Sequence, residues 1–294
     1  MAAEKKARQW KDKWISIIFV APTILLILFV SIVPMVIAFR TSLHDTNYGE
    51  ILGFVGLKHY KQILLTGDGW NNIFNTILYA MGSLVVVIPL GVMAAVGLNN
   101  KLKCVTLLRT LIILPWVLSQ TVVALLWKWL LNGNFGPVSY VWFALTGEKA
   151  DFFNTAWVAR ITVILVNVWF TFPIVLILTL AALQSIPLDL FEAAKVDGAS
   201  RRDLFWKITL PMIRPTILTA VVMQSMEYFS MVTLIFVMTA GGPFDATETI
   251  SLRAFKEGFT YWHLGLGSAF SIVIFVMNIL FSLIYVRILR NKED

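Results

Sequence analysis

Gln224, Glu227, Tyr228 and Met231 recur at i, i+3, i+4 and i+7 in an otherwise apolar stretch, so on a helix they share one face. Trp116 and Gln120 stand one helical turn apart in a second apolar stretch, and Asn167 and Phe170 form a similar pair in a third. Together they offer aromatic faces and mostly neutral hydrogen-bonding groups. That mixture suits binding of a sugar or polyol, whose C–H face stacks on a ring while its hydroxyls take donors and acceptors. An anionic solute would call for Arg or Lys beside them, and none lies there. A charged group at mid-bilayer costs ~2.5–3.5 kcal/mol on insertion scales, so Glu227 is expected to face a watery path or a basic group on a partner chain. Hydrogen bonding between helices accounts for the same polar residues equally well on the sequence alone.

Catalytic chemistry is not legible. The sequence contains no G-x-x-x-x-G-K-[ST] phosphate loop and no H-E-x-x-H zinc motif. Its three histidines, His44, His59 and His263, fall outside the apolar stretches, and no nucleophile and base pair lies within one. A single cysteine, Cys104, excludes a disulfide framework within the chain and any cysteine-based metal cluster. No catalytic residue, metal site or cofactor is therefore expected. The net charge of +7 comes without a basic stretch interleaved with polar surface, which excludes nucleic acid as a partner.

The elements that would position these side chains are membrane spans. Of the 294 residues 58% are hydrophobic and 14% charged, against about a quarter charged in soluble chains. Six stretches reach the ~20 apolar residues that a bilayer crossing takes: 14–39, 73–98, 105–131, 157–183, 215–238 and 264–289. The expected fold is an all-α membrane protein. The expected organisation is a basic N-terminus (1–13), a first helix with an external loop (14–72), a five-helix core (73–290) and a short tail (291–294). Of the Lys and Arg residues, 16 fall on the side of the termini and 6 on the other, which puts both termini and the 184–214 connection in the cytoplasm. Trp10, Trp14, Trp70, Trp127, Trp129, Trp157 and Trp262 lie near span ends, where they would anchor at headgroup level. The first apolar stretch is too long for a signal-peptide core and lacks a small-residue cleavage site, so Met1 is expected in the mature chain.

The connections differ in character. Residues 40–72 read as a polar, Gly-containing external loop. Gly136–Thr146 is apolar but too short to span, hence an interfacial or re-entrant piece. The external 241–263 segment opens with Gly241-Gly242-Pro243, and Asp245 with Glu248 could cap a short helix there. Residues 184–214 predict a helix-turn-helix. Ser185 and Pro187 would start the first helix, on which Leu190, Ala193, Ala194 and Asp197 recur at helical spacing. Gly198 would end it in the left-handed region, Ser200 with Asp203 would cap the second helix, and Pro211 would stop it.

Glu192-Ala193-Ala194, three residues, Gly198, nine residues and then Ile208-Thr209-Leu210-Pro211 resembles the EAA loop of binding-protein-dependent ABC importer permeases. Ala21-Pro22, Phe54-Val55-Gly56-Leu57 with Tyr60, Asn75-Thr76 and Gly241-Gly242-Pro243 with Thr247-Glu248-Thr249 are similar to the carbohydrate-uptake branch, which includes maltose and glycerol-3-phosphate permeases. The resemblance implies the type I permease fold in a bacterial or archaeal cytoplasmic membrane. It implies a coupling helix carrying Glu192, Ala193, Ala194, Asp197 and Gly198, with Leu210 and Pro211 after it, that docks on a cytoplasmic ATPase dimer binding the ATP. It further implies a second homologous permease subunit, an external solute-binding protein, and substrate contacts at Asn167, Gln224 and Tyr228. The competing expectation is a stand-alone secondary transporter or channel, which needs several membrane-embedded ionisable groups where this chain offers Glu227.

Overall fold

The computed structural model describes residues 17, 19–99 and 105–290. The N-terminal segment with Trp10 and Trp14, the 100–104 stretch with Cys104, and the tail 291–294 lie outside the described residues. Among the described residues four single helices are long and apolar enough to cross a bilayer: α1 (Phe19–Ser42), α3 (Gly67–Leu98), α7 (Ala156–Gln184) and α12 (Leu264–Arg290). The other two expected spans are bent pairs. α4 (Val105–Val117) meets α5 (Gln120–Leu130) at 97°, and α9 (Arg201–Phe229) meets α10 (Thr233–Thr239) at 49°. Shorter elements complete the chain: the strands β1 (His44–Asn47) and β2 (Glu50–Phe54), and the helices α2 (Lys58–Leu65), α6 (Pro137–Thr146), α8 (Leu188–Val196) and α11 (Ile250–Phe255).

α3 and α7 form the centre of the bundle and run parallel, Asn75 meeting Arg160 near one end and Gly91 meeting Val175 toward the other. Gly91 is needed for that approach. A Cβ there would sit 2.6 Å from Val175 Cγ1, inside van der Waals contact, and small residues are how membrane helices bring their backbones together. Around this pair Tyr79, Val87, Val166, Phe170, Phe229 and Leu234 bury one apolar core. A second core, with Leu98, Leu183 and Ile213, lies toward the 184–214 end, and a third, with Ile63, Ile250 and Phe270, at the opposite end. The side chains of α1 are almost wholly exposed, as befits a helix solvated by lipid.

Several expectations are corrected by the structure. The 40–72 segment is not a plain loop: β1 and β2 pair antiparallel as a hairpin with a bulge at Asp45/Thr46, so the described chain is helical apart from that ribbon and its turns. The third span is broken because Ser119 is extended directly after the Pro115 turn. The fifth is broken at 230–232, where no Pro or Gly announces it; Ser251 Oγ donates to the Phe229 carbonyl and satisfies the helix end. Pro211 does not stop the second loop helix. A widened turn over Leu204–Thr209 takes the Leu210 N–H back to the Phe205 carbonyl, and the helix continues through Pro211 and Pro215 into the span. Trp127 is no anchor, since it packs edge-on against Trp169 at 5.4 Å beside the core, whereas Trp70, Trp129, Trp157 and Trp262 are exposed.

Asp245 and Glu248 do not cap a helix. Thr249 does, accepting from the Leu252 N–H, and Glu248 is buried in an ion-pair network instead. Its carboxylate meets Lys256 at 2.6 Å and Arg253 at 3.4 Å, and Arg253 reaches Glu257 at 2.8 Å. Burial works to lower the Arg253 pKa, but the two carboxylates outweigh it and hold the guanidinium above its ordinary value.

Candidate functional site

The 184–214 connection folds as a helix, a left-handed turn and the foot of a second helix. α8 begins after Pro187 without a side-chain cap, and Ser185 donates instead to the Ala182 carbonyl, so the expected Ser185 cap does not form. At its C-terminus Gly198 adopts φ +82°, donating to the Lys195 carbonyl, while Ala199 donates to Ala194. These paired bonds are the Schellman closure, which satisfies two helix-end carbonyls. Ser200 and Asp203 cap one another reciprocally at the start of α9, as the sequence indicates. Lys207 hydrogen-bonds Asp203 at 2.6 Å, and with Ser200 it pulls that solvent-exposed carboxyl down to about 2.

This frame holds α8 at the edge of the bundle, where Phe191 leans on the second core. None of the α8 residues is buried, Leu188 and Val196 are exposed apolar side chains, and Glu192, Ala193, Asp197 and Gly198 lie open alongside them. An exposed helix with apolar side chains and two small alanines is a surface that another protein can approach closely. Leu210 and Pro211 lie in the foot of α9, about one helix turn before Pro215, so the α8 turn leads into the membrane-embedded part of α9 without a break in helix from Arg201 onward.

Along that helix lie Gln224 and Tyr228, which meet Asn167 through a directional chain. Gln224 Nε2 donates to the Tyr228 hydroxyl at 3.0 Å, and Tyr228 and Thr171 share a hydrogen bond of 2.6 Å. Thr171 spends its one hydrogen on the Asn167 carbonyl at 2.8 Å, so Tyr228 is the donor to Thr171. Asn167 Nδ2 donates in turn to Ser83 Oγ at 3.0 Å, and the Tyr79 ring meets Tyr228 edge-on at 6.2 Å. All six side chains are buried, and the Asn167 Oδ1 and Tyr79 hydroxyl oxygens have no hydrogen-bond partner among the described residues. Three helices thus supply one polar cluster in an apolar core.

The remaining expected residues fall elsewhere. Glu227 is half-buried on the α9 face that also exposes Met223 and Met226. Met231 is buried but does not share the Gln224 and Tyr228 face, because α9 ends at Phe229 and Met231 lies in the link to α10. Phe170 is buried in the central core. Trp116 and Gln120 are not one turn apart on a helix; they straddle the 97° bend, Trp116 exposed and Gln120 half-buried, and neither shares a hydrogen bond with the cluster among the described residues.

Tyr79, Ser83 and Thr171 escaped the sequence reading, although a signal exists. Asn72, Asn75, Thr76, Tyr79 and Ser83 form a polar stripe at helical spacing along α3, and all five are buried. The upper part of the stripe holds the 240–250 loop. Asn75 donates to the Asp245 and Glu248 carbonyls at 2.9 and 3.1 Å, Thr76 accepts from the Ile250 N–H, and Arg160 donates to the Ala246 carbonyl at 2.8 Å. Ala240, Phe244 and Asp245 all have positive φ there, a conformation costly for residues with a Cβ. The hydrogen bonds from α3 and α7 hold it.

The family model of the binding-protein-dependent transport system inner membrane component matches residues 87–293. The trehalose/maltose transport system permease protein MalF of Thermococcus litoralis is 31% identical over 290 residues, covering 97% of each chain. The sulfoquinovosyl glycerol transport system permease protein SmoG of Agrobacterium fabrum is 26% identical, covering 99% of this chain and 97% of that one. Among solved structures, a bacterial ABC transporter involved in the import of the acidic polysaccharide alginate has a chain of the same fold, with a TM-score of 0.84, 23% identity and coverage of 98% of this chain and 100% of that one. The stretch matched by the family model takes in the exposed α8, both bent spans, and Asn167, Thr171, Gln224 and Tyr228 of the polar cluster, and on that extent this chain belongs to the binding-protein-dependent transport system inner membrane components, as a multi-pass protein of the inner membrane.

Proposed function

We propose that the chain is one of the two permease halves of an ATP-driven importer for a sugar or polyol, with both termini and the 184–214 loop in the cytoplasm. The 16-to-6 distribution of basic residues supports that orientation. α8 docks on an ATPase dimer, which binds and hydrolyses the ATP; a second, homologous permease supplies the other wall of the path; an external solute-binding protein delivers the solute. The solved alginate transporter in complex with its alginate pentasaccharide-bound periplasmic protein supports this assembly, as do relatives named for trehalose/maltose and starch degradation products.

One observation carries the reading: α8, with no buried residue, is joined through a continuous α9 to a buried polar cluster on α3 and α7. A displacement of α8 by ATPase closure is delivered along α9 as a rigid-body movement of the helix. Moving α9 relative to α7 separates Tyr228 from Thr171 and opens Asn167, Gln224 and Tyr228 to the path. The unused Asn167 Oδ1 acceptor and Tyr79 hydroxyl then meet solute hydroxyls. Glu227, Trp116, Gln120, Phe170 and Met231 contribute polar and apolar surface around that route. Co-purification of the chain with its ATPase and second permease, followed by a screen of solutes for binding-protein-stimulated ATP hydrolysis, tests the assignment. Labelling of Ser200→Cys by an impermeant external reagent in sealed cells would overturn the orientation.

A further inference from the structure

α6 is apolar around most of its circumference yet barely joined to the bundle. Tyr140 and Leu145 are 73% and 81% exposed, and Val141, Trp142 and Phe143 are also open. At ten residues it is about 15 Å long, too short to cross a bilayer. It is nevertheless fixed in place: Gly136 N–H donates to the Asn132 carbonyl at 2.8 Å, Asn132 Oδ1 accepts from Asn134 N–H, and Ser139 is buried against the Leu131 carbonyl. Two clefts border the helix. One, of about 440 Å³, is lined by residues that include Asn134, Phe135, Tyr140 and Lys149; the other, of about 320 Å³, is lined by Pro137, Val138, Val141, Trp142 and Leu145 alone. Pro137 and Val141 line both.

From this arrangement we infer that α6 and its flanking turns form a binding site for a single zwitterionic glycerophospholipid. Lys149 makes no ion pair among the described residues, and as an exposed residue lining the first cleft it offers an ammonium that matches a phosphate. Asp151 lies beside Gly133, which lines the first cleft, and a carboxylate there suits a headgroup that carries an ammonium as well as a phosphate. The second cleft is walled by apolar side chains and the Trp142 ring, and an acyl chain fits that lining where water does not. The apolar surface also continues into α5, which exposes Val122, Leu125 and Trp129 and belongs to a membrane crossing. Tyr140 lines the first cleft and Trp142 the second, amphipathic rings of the kind that sit where headgroup and acyl chain meet.

Native mass spectrometry of the assembled transporter titrated with phosphatidylethanolamine, and with diacylglycerol of the same acyl chains, tests the site. Lys149→Gln is expected to weaken phosphatidylethanolamine binding about tenfold, the loss of one charge-assisted hydrogen bond, and to leave diacylglycerol binding unchanged. Leu145→Glu should weaken both. A photo-crosslinking residue at Val141 should capture lipid in membranes. Unchanged phosphatidylethanolamine binding by Lys149→Gln would overturn the inference, as would crosslinking of Val141 to another polypeptide in place of lipid.

Discussion

Replacing Gly198 isolates backbone conformation from side-chain bulk, because the position is left-handed at φ +82° and a Cβ built there meets nothing within 4 Å. In Gly198→Ala the whole penalty is therefore conformational, ~1–2 kcal/mol for an L-residue in the left-handed region. That strain is relieved by giving up the two closing bonds, Gly198 N–H to Lys195 and Ala199 N–H to Ala194, which turns the end of α8 away from its docked direction. At 1.4 kcal/mol per factor of ten, apparent affinity for the ATPase falls by as much as ~5- to 30-fold. Asn tolerates the left-handed region better than other residues with a Cβ. Gly198→Asn is thus expected to lose less than Gly198→Ala despite its larger side chain. The assay is binding-protein-stimulated ATP hydrolysis by the permease pair in proteoliposomes, titrated with ATPase. If Asn loses more than Ala, bulk at the docked interface governs, and if the two lose equally the conformational argument fails as well; parental behaviour in both would remove Gly198 from coupling altogether.

Tyr228→Phe deletes the hydroxyl that links Gln224 to Thr171 and leaves a buried amide without its acceptor, a loss of ~1–3 kcal/mol. Uptake should fall in Tyr228→Phe and Asn167→Ala while assembly and basal ATPase activity persist; normal uptake in both would make the cluster a packing device. Gly91→Val should lower the thermal stability of the purified complex by several degrees, since even a Cβ collides with Val175, and an unshifted melting temperature would contradict the α3 to α7 approach. Lys256→Met, which removes the nearer cation from the buried Glu248 carboxylate and leaves it Arg253 at 3.4 Å, should destabilise more than the double change Lys256→Met with Glu248→Gln, measured by chemical denaturation; equal effects would mean that the buried pair is uncoupled.

How much was legible depends on the range of the interactions concerned. Apolar runs long enough for a bilayer, the excess of Lys and Arg on one set of connections, and the Gly198 turn with its Ser200 and Asp203 cap are all settled within a few residues, and the sequence alone determined them. Absence of a phosphate loop is equally a property of the string. The breaks at 118–119 and 230–232 are not, because the second is sustained by Ser251 reaching the Phe229 carbonyl from another part of the chain. Nor is the polar cluster: Asn167, Gln224 and Tyr228 could be picked out as candidates, but their joining through Thr171 and Ser83 depends on three helices packed side by side. Glu248 shows the same limit. By local spacing it reads as half of a cap, yet Lys256 and Arg253 draw it into a buried ion network, because a desolvated carboxylate gains more from two cations than from a backbone N–H. Local hydrogen bonds and the partition between lipid and water can be read from neighbours in sequence, whereas which buried polar groups find one another is decided only when the helices pack.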